Sequence, residues 1–284
     1  MNTATIRLMS RTLFMPTDIT VVFPDDIAQS GELFPVVWLL HGACGDHRTY
    51  LGQVDFESIL KKHRCFIVMP SALNSDYGDY PQFGTGYCFR SYFFDELMPF
   101  IFSTFPVSPE RDKNYILGAS MGGFGAMSLA LSRPEKFRSV GMLGASMRQS
   151  QFLEEYRGKT MEEFRRDALE NPRSFPTEYG NPESGIKLKE VNIITKYASV
   201  EAFFDSSDCM WRRFPEVAGK QLLPEIYVAC GTADLFYPPV CRFRELVETL
   251  GVQEKVKFNL PAGVGHSETF FASEIVSFFD IYEV

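Results

Sequence analysis

The sequence predicts an α/β fold: one domain over residues 1–284 with a mostly parallel, eight-stranded, doubly wound sheet. Three observations predict it. Six apolar runs recur along the chain, as in strands that are covered on both faces. Segments with helical apolar spacing alternate with most of these runs. Residues 4–24 instead alternate apolar and polar positions, as a half-exposed antiparallel pair of strands does. The six apolar runs are residues 34–40, 65–70, 114–117, 139–146, 224–230 and 256–260.

The elements follow in order from local signals. In the N-terminal pair, Met15-Pro16-Thr17-Asp18 is the predicted turn because it contains the residues that favour turns. Pro134 is expected to end the helix that follows run 114–117, and Gly251 to cap a later one. The predicted helices cover residues 54–62, 92–105, 124–132, 239–250 and 268–279.

Two long segments depart from this alternation. Residues 147–220 are charged and interrupted by prolines, and they are too long for an ordinary connection between strand and helix, so we expect an inserted helical cap. Residues 71–89 form a long loop rich in glycine and tyrosine. Its tyrosines could stack on a sugar or aryl ring of a ligand, or they could be buried in the protein.

Composition excludes several classes of function. The net charge of −8 argues against nucleic-acid binding, because an acidic surface repels phosphates. No apolar run approaches the roughly 20 residues that cross a bilayer, and the first residues lack a signal-peptide pattern. We therefore expect a cytoplasmic protein that does not act at a membrane. The six cysteines show no spacing typical of a metal or redox site, so no metal is expected.

Residues 114–123 carry the strongest signal in the chain. They combine a short apolar strand, a Gly-x-Ser-x-Gly turn and the start of a helix. In α/β-hydrolases this turn is the nucleophile elbow, which lifts a serine hydroxyl clear of the sheet. Gly118 and Gly122 supply the small residues that must pack against each other across Ser120. The alternative is a glycine-rich turn whose serine only caps the helix.

An acid and a base follow the serine in an informative order. Asp234 comes after run 224–230, and His266 lies in the glycine-containing loop after run 256–260. The order Ser…Asp…His is that of α/β-hydrolases, and each residue follows a strand at the sheet edge where such folds place their sites. Ser120 would be the nucleophile, His266 its general base and Asp234 the residue that orients the imidazole.

A second loop completes this predicted site. The run 34–40 leads into His41-Gly42-Ala43, and such a loop can direct a backbone N–H toward the nucleophile. The N–H groups of Ala43 and Met121 would then form the oxyanion hole. A plain tight turn after a central strand is the alternative.

The remaining histidines and rival groups fit these roles less well. His41 is expected to pack its loop, His47 lies in a polar loop, and His63 stands in a basic run that should be solvated. Asp205 and Asp208 are rival acids without a preceding strand, and Cys44 is a rival nucleophile without an elbow. None of these six residues has the context of a catalytic group.

Two motifs, together with the late Asp and His, resemble the esterase D family, nearest to its tributyrin-esterase type. The motifs are His41-Gly42-Ala43-Cys44-Gly45 and Gly118-Ala119-Ser120-Met121-Gly122-Gly123. Residues 92–97 resemble the helix before the elbow in that family. The resemblance implies hydrolysis of carboxylic esters with short acyl groups, on a small-molecule substrate and without a cofactor. One departure is the run Ser267-Glu268-Thr269-Phe270 after His266, where the family often has an acidic residue and aromatics.

Several functions therefore remain in competition. The first is a serine carboxylesterase acting on short-chain, sugar-linked or aryl acyl esters through an acyl-enzyme. An acyltransferase of the same fold and an S-formylglutathione hydrolase-like thioesterase are the alternatives, the latter ranked lower because that group carries a different oxyanion loop. A non-catalytic binding protein is a further alternative, although it would not need an intact triad. The chain could act alone or as a homo-oligomer.

Overall fold

The structure of the 284-residue chain is a computed structural model. The structure describes residues 1–27, 31, 33–80, 87–145, 147, 158, 160, 162–163, 166, 197, 199–206 and 208–284.

Eight strands form one sheet in the order β1-β2-β4-β3-β5-β6-β7-β8. The pairs β1–β2 and β2–β4 are antiparallel, and every other neighbouring pair is parallel. The predicted mostly parallel, eight-stranded sheet is therefore confirmed. The strands are β1 (Asn2–Ser10), β2 (Met15–Phe23), β3 (Val36–Leu40), β4 (Phe66–Pro70), β5 (Asn114–Ala119), β6 (Ser139–Leu143), β7 (Glu225–Ala229) and β8 (Val256–Asn259).

Helices connect the parallel strands. One long helix, α2, contains a π-helical middle segment, a local widening that is often found near functional sites. None of the helices in the described ranges is both long and apolar enough to cross a bilayer. The described helices are α1 (Phe56–Lys62), α2 (Phe89–Ser91, Tyr92–Leu97 and Met98–Thr104 in succession), α3 (Met121–Ser132), α4 (Val200–Phe204), α5 (Met210–Gly219), α6 (Tyr237–Leu250) and α7 (Glu268–Tyr282).

The central strands are covered on both faces. Because successive side chains of a strand point to opposite faces, Trp38 and Leu40 of β3 join one core cluster while Val37 and Leu39 join the other. Buried residues of α2, α3, α5 and α6 belong to the first cluster, and those of α1 and α7 belong to the second. This is the doubly wound arrangement expected from the continuous apolar runs.

The predicted turn at residues 15–18 is wrong. The hairpin pairs Ser10 with Met15, so residues 11–14 make the turn and Phe14 takes a positive φ of 53°. Pro16 lies inside β2, which pairs with β4 only over Ile19–Val22. Near Pro16 the strand is therefore an edge strand, and proline is tolerated at such positions.

The predicted cap at residues 147–220 falls mostly outside the described residues, so the cap and the single-domain assignment stay predictions. Part of this segment is described. Helix α5 lies against α3, and the Phe214 ring meets Phe243 of α6 edge-on with centroids 5.0 Å apart. Phe214 is fully buried in the core cluster, so α5 helps to cover the sheet.

Candidate active site

Ser120 lies on a sharp turn between β5 and α3. Its backbone has φ 55° and ψ −120°, which is a strained conformation for a residue with a side chain. The Ser120 N–H donates to the Leu143 carbonyl of β6 (2.8 Å), and Phe124 N–H donates to the Ser120 carbonyl in the first bond of the helix (3.1 Å). These bonds hold the half-buried Ser120 at the carboxyl end of the sheet in the geometry expected of a nucleophile elbow.

Close packing explains why glycines flank this serine. A Cβ placed on Gly122 would lie 2.1 Å from the Leu40 carbonyl oxygen, and one on Gly118 would lie 2.6 Å from the Gly122 carbonyl carbon. Any side chain at either position would push α3 away from the strands. The prediction that the tight packing of the elbow requires small residues at positions 118 and 122 is therefore confirmed.

Asp234 and His266 are in direct contact. His266 Nδ1 lies 2.8 Å from Asp234 Oδ2, and Phe236 N–H donates to the other carboxylate oxygen, Oδ1 (2.8 Å). The Asp234 side chain is fully buried, whereas 22% of the His266 side chain is exposed. A carboxylate that only accepts hydrogen bonds places the proton of the imidazole on Nδ1. The lone pair of Nε2 is then free to act as a base.

Backbone bonds fix the two loops that carry this pair. Ala233 N–H donates to the Val264 carbonyl (2.9 Å), and Thr232 N–H donates to that of Pro261 (3.0 Å). In return, Gly263 N–H donates to Thr232 Oγ1 (2.8 Å). The loops after β7 and β8 are thus joined at several points, which holds Asp234 and His266 in place relative to each other.

Two aromatic rings hold the imidazole, and sequence reasoning missed both. The Phe271 ring meets the His266 ring edge-on with centroids 4.8 Å apart, and the Phe236 ring lies 5.6 Å away. Phe271 is itself accommodated by Gly144, whose φ is +49° and whose added Cβ would lie 2.3 Å from the Phe271 ring. No local pattern in the sequence indicates these contacts, because they join residues from three separate segments.

The side chain of His41 fixes the second predicted donor loop. Ala72 N–H donates to His41 Nε2 (2.9 Å), so the ring proton is on Nδ1, which donates to the Gly42 carbonyl (2.7 Å). In a trans peptide the C=O and the next N–H point in opposite directions. Holding the Gly42 carbonyl therefore also fixes the direction of the Ala43 N–H.

This loop lies beside the serine. A Cβ added to Gly42 would stand 3.6 Å from Ser120 Cβ, so the Gly42–Ala43 peptide passes close to the serine side chain. Met121 is the first residue of α3, and the first N–H groups of a helix have no partner within the helix. The N–H groups of Ala43 and Met121 belong to the two segments that flank Ser120.

The structure thus brings Asp234 and His266 together and places Ser120 and the Gly42–Ala43 peptide side by side. All of these residues follow strands at the same edge of the parallel sheet. Within the described ranges, no hydrogen bond joins the Ser120 hydroxyl to His266. Catalytic hydrogen bonds of this kind often tighten only when a substrate is bound.

The rival groups are engaged elsewhere. Asp208 accepts from Arg90 Nη1 (2.5 Å) and from the Tyr197 hydroxyl. Asp205 is exposed at the end of α4. Cys44 is exposed, with its N–H donating to Asn74 Oδ1 (2.8 Å). None of these contacts resembles a catalytic pair.

Two expectations about side chains outside the site need correction or completion. His63 was expected to be solvated but is buried, because its Nε2 lies 2.8 Å from Asp280 and its ring packs near Phe279. In the 71–89 loop, Tyr77 and Tyr80 are buried, which favours the packing alternative for both, while residues 81–86 lie outside the described residues. Among the residues that the structure describes, no group of three or more His, Cys, Asp or Glu side chains could hold a metal ion.

Comparison with known proteins identifies the family of the chain. Residues 10–229 match the model of the protein family described as "Putative esterase". The chain belongs to this esterase family. Relatives include an acetyl esterase from Caldicellulosiruptor saccharolyticus, 28% identical over 50% of this chain and 54% of its own length. Another is the mouse S-formylglutathione hydrolase, 29% identical over 40% of this chain and 46% of its own. The esterase chain thus spans about half the length of these two curated relatives.

Solved structures resemble the esterase over nearly its whole length. The Staphylococcus aureus fluorophosphonate-binding serine hydrolase F aligns with a TM-score of 0.77 and 20% identity, covering 99% of this chain and 98% of its own. The S-formylglutathione hydrolase of the same organism gives a TM-score of 0.76 and 19% identity, covering 99% of both chains. Similarity at this level of identity establishes the fold. The predicted α/β-hydrolase fold and membership of an esterase family are confirmed.

Proposed function

We propose that the protein is a serine carboxylesterase that hydrolyses acyl esters through an acyl-enzyme on Ser120. The contact between His266 Nδ1 and Asp234 Oδ2, at 2.8 Å, is the observation that carries the proposal. It gives the imidazole a fixed tautomer and leaves Nε2 as a base at the sheet edge where the elbow ends. Membership of the esterase family and the strained elbow support the same reaction.

The first half of the reaction forms the acyl-enzyme. Ser120 Oγ attacks the ester carbonyl carbon while His266 Nε2 takes the hydroxyl proton. The resulting imidazolium is stabilised by the buried carboxylate of Asp234, which lies beside His266 Nδ1. The tetrahedral intermediate then collapses, the C–O bond of the alcohol breaks, and His266 returns the proton to the leaving alcohol.

The second half releases the acid. A water molecule attacks the acyl carbon as His266 takes one of its protons, and collapse of the second intermediate returns that proton to Ser120 Oγ. The carboxylic acid product leaves, and the enzyme regains its starting state. In both halves the N–H groups of Ala43 and Met121 would hold the oxyanion. Each such donor typically lowers the barrier by roughly 3 kcal/mol.

The substrate class follows from the acidic chain and from its relatives. A net charge of −8 disfavours polyanionic substrates and fits an uncharged ester. The names of the relatives, acetyl esterase and S-formylglutathione hydrolase, support short acyl groups and add a thioester to the candidates. The alternative function is therefore a short-acyl thioesterase that uses the same residues.

The test is a panel of acyl substrates with a matched pair of serine variants. Wild type should hydrolyse p-nitrophenyl acetate or butyrate, and Ser120→Ala should lose this activity while its thermal unfolding stays unchanged. Ser128→Ala, which removes a hydroxyl from the same helix about two turns beyond the elbow, should retain it. Equal rates for wild type and Ser120→Ala on the whole panel would contradict the proposal. S-Formylglutathione and acetylated sugars in the panel separate the thioesterase from the sugar esterase.

A further inference from the structure

The hydroxyl of Tyr50 contacts both strands that lead to the predicted oxyanion hole. It donates to the Leu40 carbonyl (2.9 Å) and accepts from the Ala119 N–H (3.3 Å). Leu40 is the last residue of β3 and Ala119 is the last residue of β5. A single side-chain atom therefore joins the ends of two strands just before they leave the sheet.

Each of these strand ends feeds one of the proposed donors. Ala43 is three positions after Leu40, and Met121 is two positions after Ala119. The elbow also packs directly against the Leu40 carbonyl, since a Cβ on Gly122 would lie 2.1 Å from its oxygen. A small shift of this carbonyl would therefore move both donor segments relative to each other.

The Tyr50 side chain is buried. Tyr50 is 3% exposed and belongs to the core cluster shared by α1 and α7, so losing its hydroxyl would leave buried backbone groups without this partner. Burial also raises the pKa of this phenol well above its usual value. The raised pKa favours the protonated phenol, which is the form that donates to the Leu40 carbonyl.

We propose that Tyr50 is a positioning residue that sets the spacing between the Ala43 and Met121 donors, and so tunes stabilisation of the oxyanion without touching the substrate. The proposal rests on the esterase function proposed above. It predicts a specific kinetic signature. Removing the hydroxyl should lower kcat and leave KM nearly unchanged, because the donors contact the oxyanion most strongly in the transition state.

The experiment compares Tyr50→Phe with Tyr115→Phe. Tyr115 is also buried and its hydroxyl accepts from Arg138 Nη1 (3.1 Å), but it lies in the second position of β5, far along the strand from Ser120. Both variants remove one buried phenol oxygen. Tyr50→Phe should lower kcat for p-nitrophenyl butyrate by about 10- to 100-fold with KM within about twofold, since a small misplacement of catalytic groups costs up to about 100-fold. Tyr115→Phe should leave both constants within about twofold of wild type.

A second measurement uses an inhibitor that mimics the intermediate. The tetrahedral adduct of a phenylboronic acid with Ser120 would place a boron-bound oxygen in the oxyanion hole. Its affinity should fall in Tyr50→Phe by about the same factor as kcat/KM, and it should be unchanged in Tyr115→Phe. Thermal unfolding of both variants shows whether a loss merely reflects stability.

The outcomes separate the two proposals. If Ser120→Ala abolishes hydrolysis but Tyr50→Phe behaves like Tyr115→Phe, the esterase function stands and the role of Tyr50 is overturned. A rise in KM with kcat unchanged would also overturn it, because that result would indicate ordinary substrate binding. If wild type neither hydrolyses the panel nor binds the boronic acid, the esterase function fails and the role of Tyr50 falls with it.

Discussion

Gly144 couples backbone conformation to the position of the proposed catalytic base, and Gly144→Ala should therefore damage stability and activity together. A side chain at its φ of +49° costs about 1–2 kcal/mol. The new Cβ would lie 2.3 Å from the Phe271 ring, against about 3.5 Å or more for carbon atoms in ordinary contact, so the ring must move by roughly 1 Å. Overpacking of this kind adds about 1–3 kcal/mol.

Displacing the Phe271 ring should reach the imidazole. The ring contacts His266 edge-on at 4.8 Å, and the added Cβ would also stand 3.3 Å from Asp234 Oδ2. We expect Gly144→Ala to lower the free energy of unfolding by about 2–5 kcal/mol, the sum of these two terms. We also expect kcat to fall by up to about 100-fold, the cost of misplacing a catalytic group by about 1 Å.

Gly251→Ala is the matched control. Gly251 has a φ of +66° at the end of α6, and nothing lies within 4 Å of an added Cβ. It should lose only the backbone term of about 1–2 kcal/mol and keep wild-type kcat. Urea unfolding and p-nitrophenyl butyrate kinetics of both variants provide the assay. Equal losses of stability, or an unchanged kcat in Gly144→Ala, would refute the idea that Phe271 transmits the clash to the base.

Two further predictions concern charged side chains. Asp234→Asn should lower kcat by about 10⁴-fold, equivalent to about 5 kcal/mol of barrier, because Asn can hold the wrong tautomer of the imidazole. Asp205→Asn changes an exposed acid and should leave kcat unchanged. Similar kinetics for the two variants would contradict the assignment of Asp234 as the residue that orients His266. For Glu96, burial would raise its pKa, but hydrogen bonds from Ser10 and Thr12 outweigh burial and hold the pKa below its ordinary value of 4.5. Ionised Glu96 thus stabilises the fold above that pH, and this stability is lost as pH falls through the lowered pKa. The Tm difference between wild type and Glu96→Gln should accordingly be large at pH 7 and shrink at pH 3, and a difference independent of pH would contradict this account.

The sequence predicted those parts of the protein that depend on neighbouring residues. The elbow around Ser120, the order of the acid and base along the chain and the apolar strands all leave local patterns, and the elbow geometry and sheet followed from them. The pairing of Asp234 with His266 was also expected from their order after successive strands.

Features that depend on distant residues could not be predicted in this way. The hydroxyl of Tyr50 joins Leu40 to Ala119, which lies 69 positions after Tyr50 in the sequence, and nothing near Tyr50 indicates this. His63 stands in a basic run that is typical of a solvated surface, yet it is buried because Asp280 of the last helix lies beside it. Such contacts are set by how helices and loops dock on the sheet, which the order of residues alone does not specify.

The central claim is that Ser120 is a nucleophile activated by His266. The most direct measurement is the site and rate of labelling by a fluorophosphonate, followed by intact mass and peptide mapping. We predict one adduct per chain, on Ser120, absent from Ser120→Ala and formed far more slowly in His266→Ala. An unlabelled wild-type protein, an adduct on another residue, or a labelling rate that does not depend on His266 would contradict the claim.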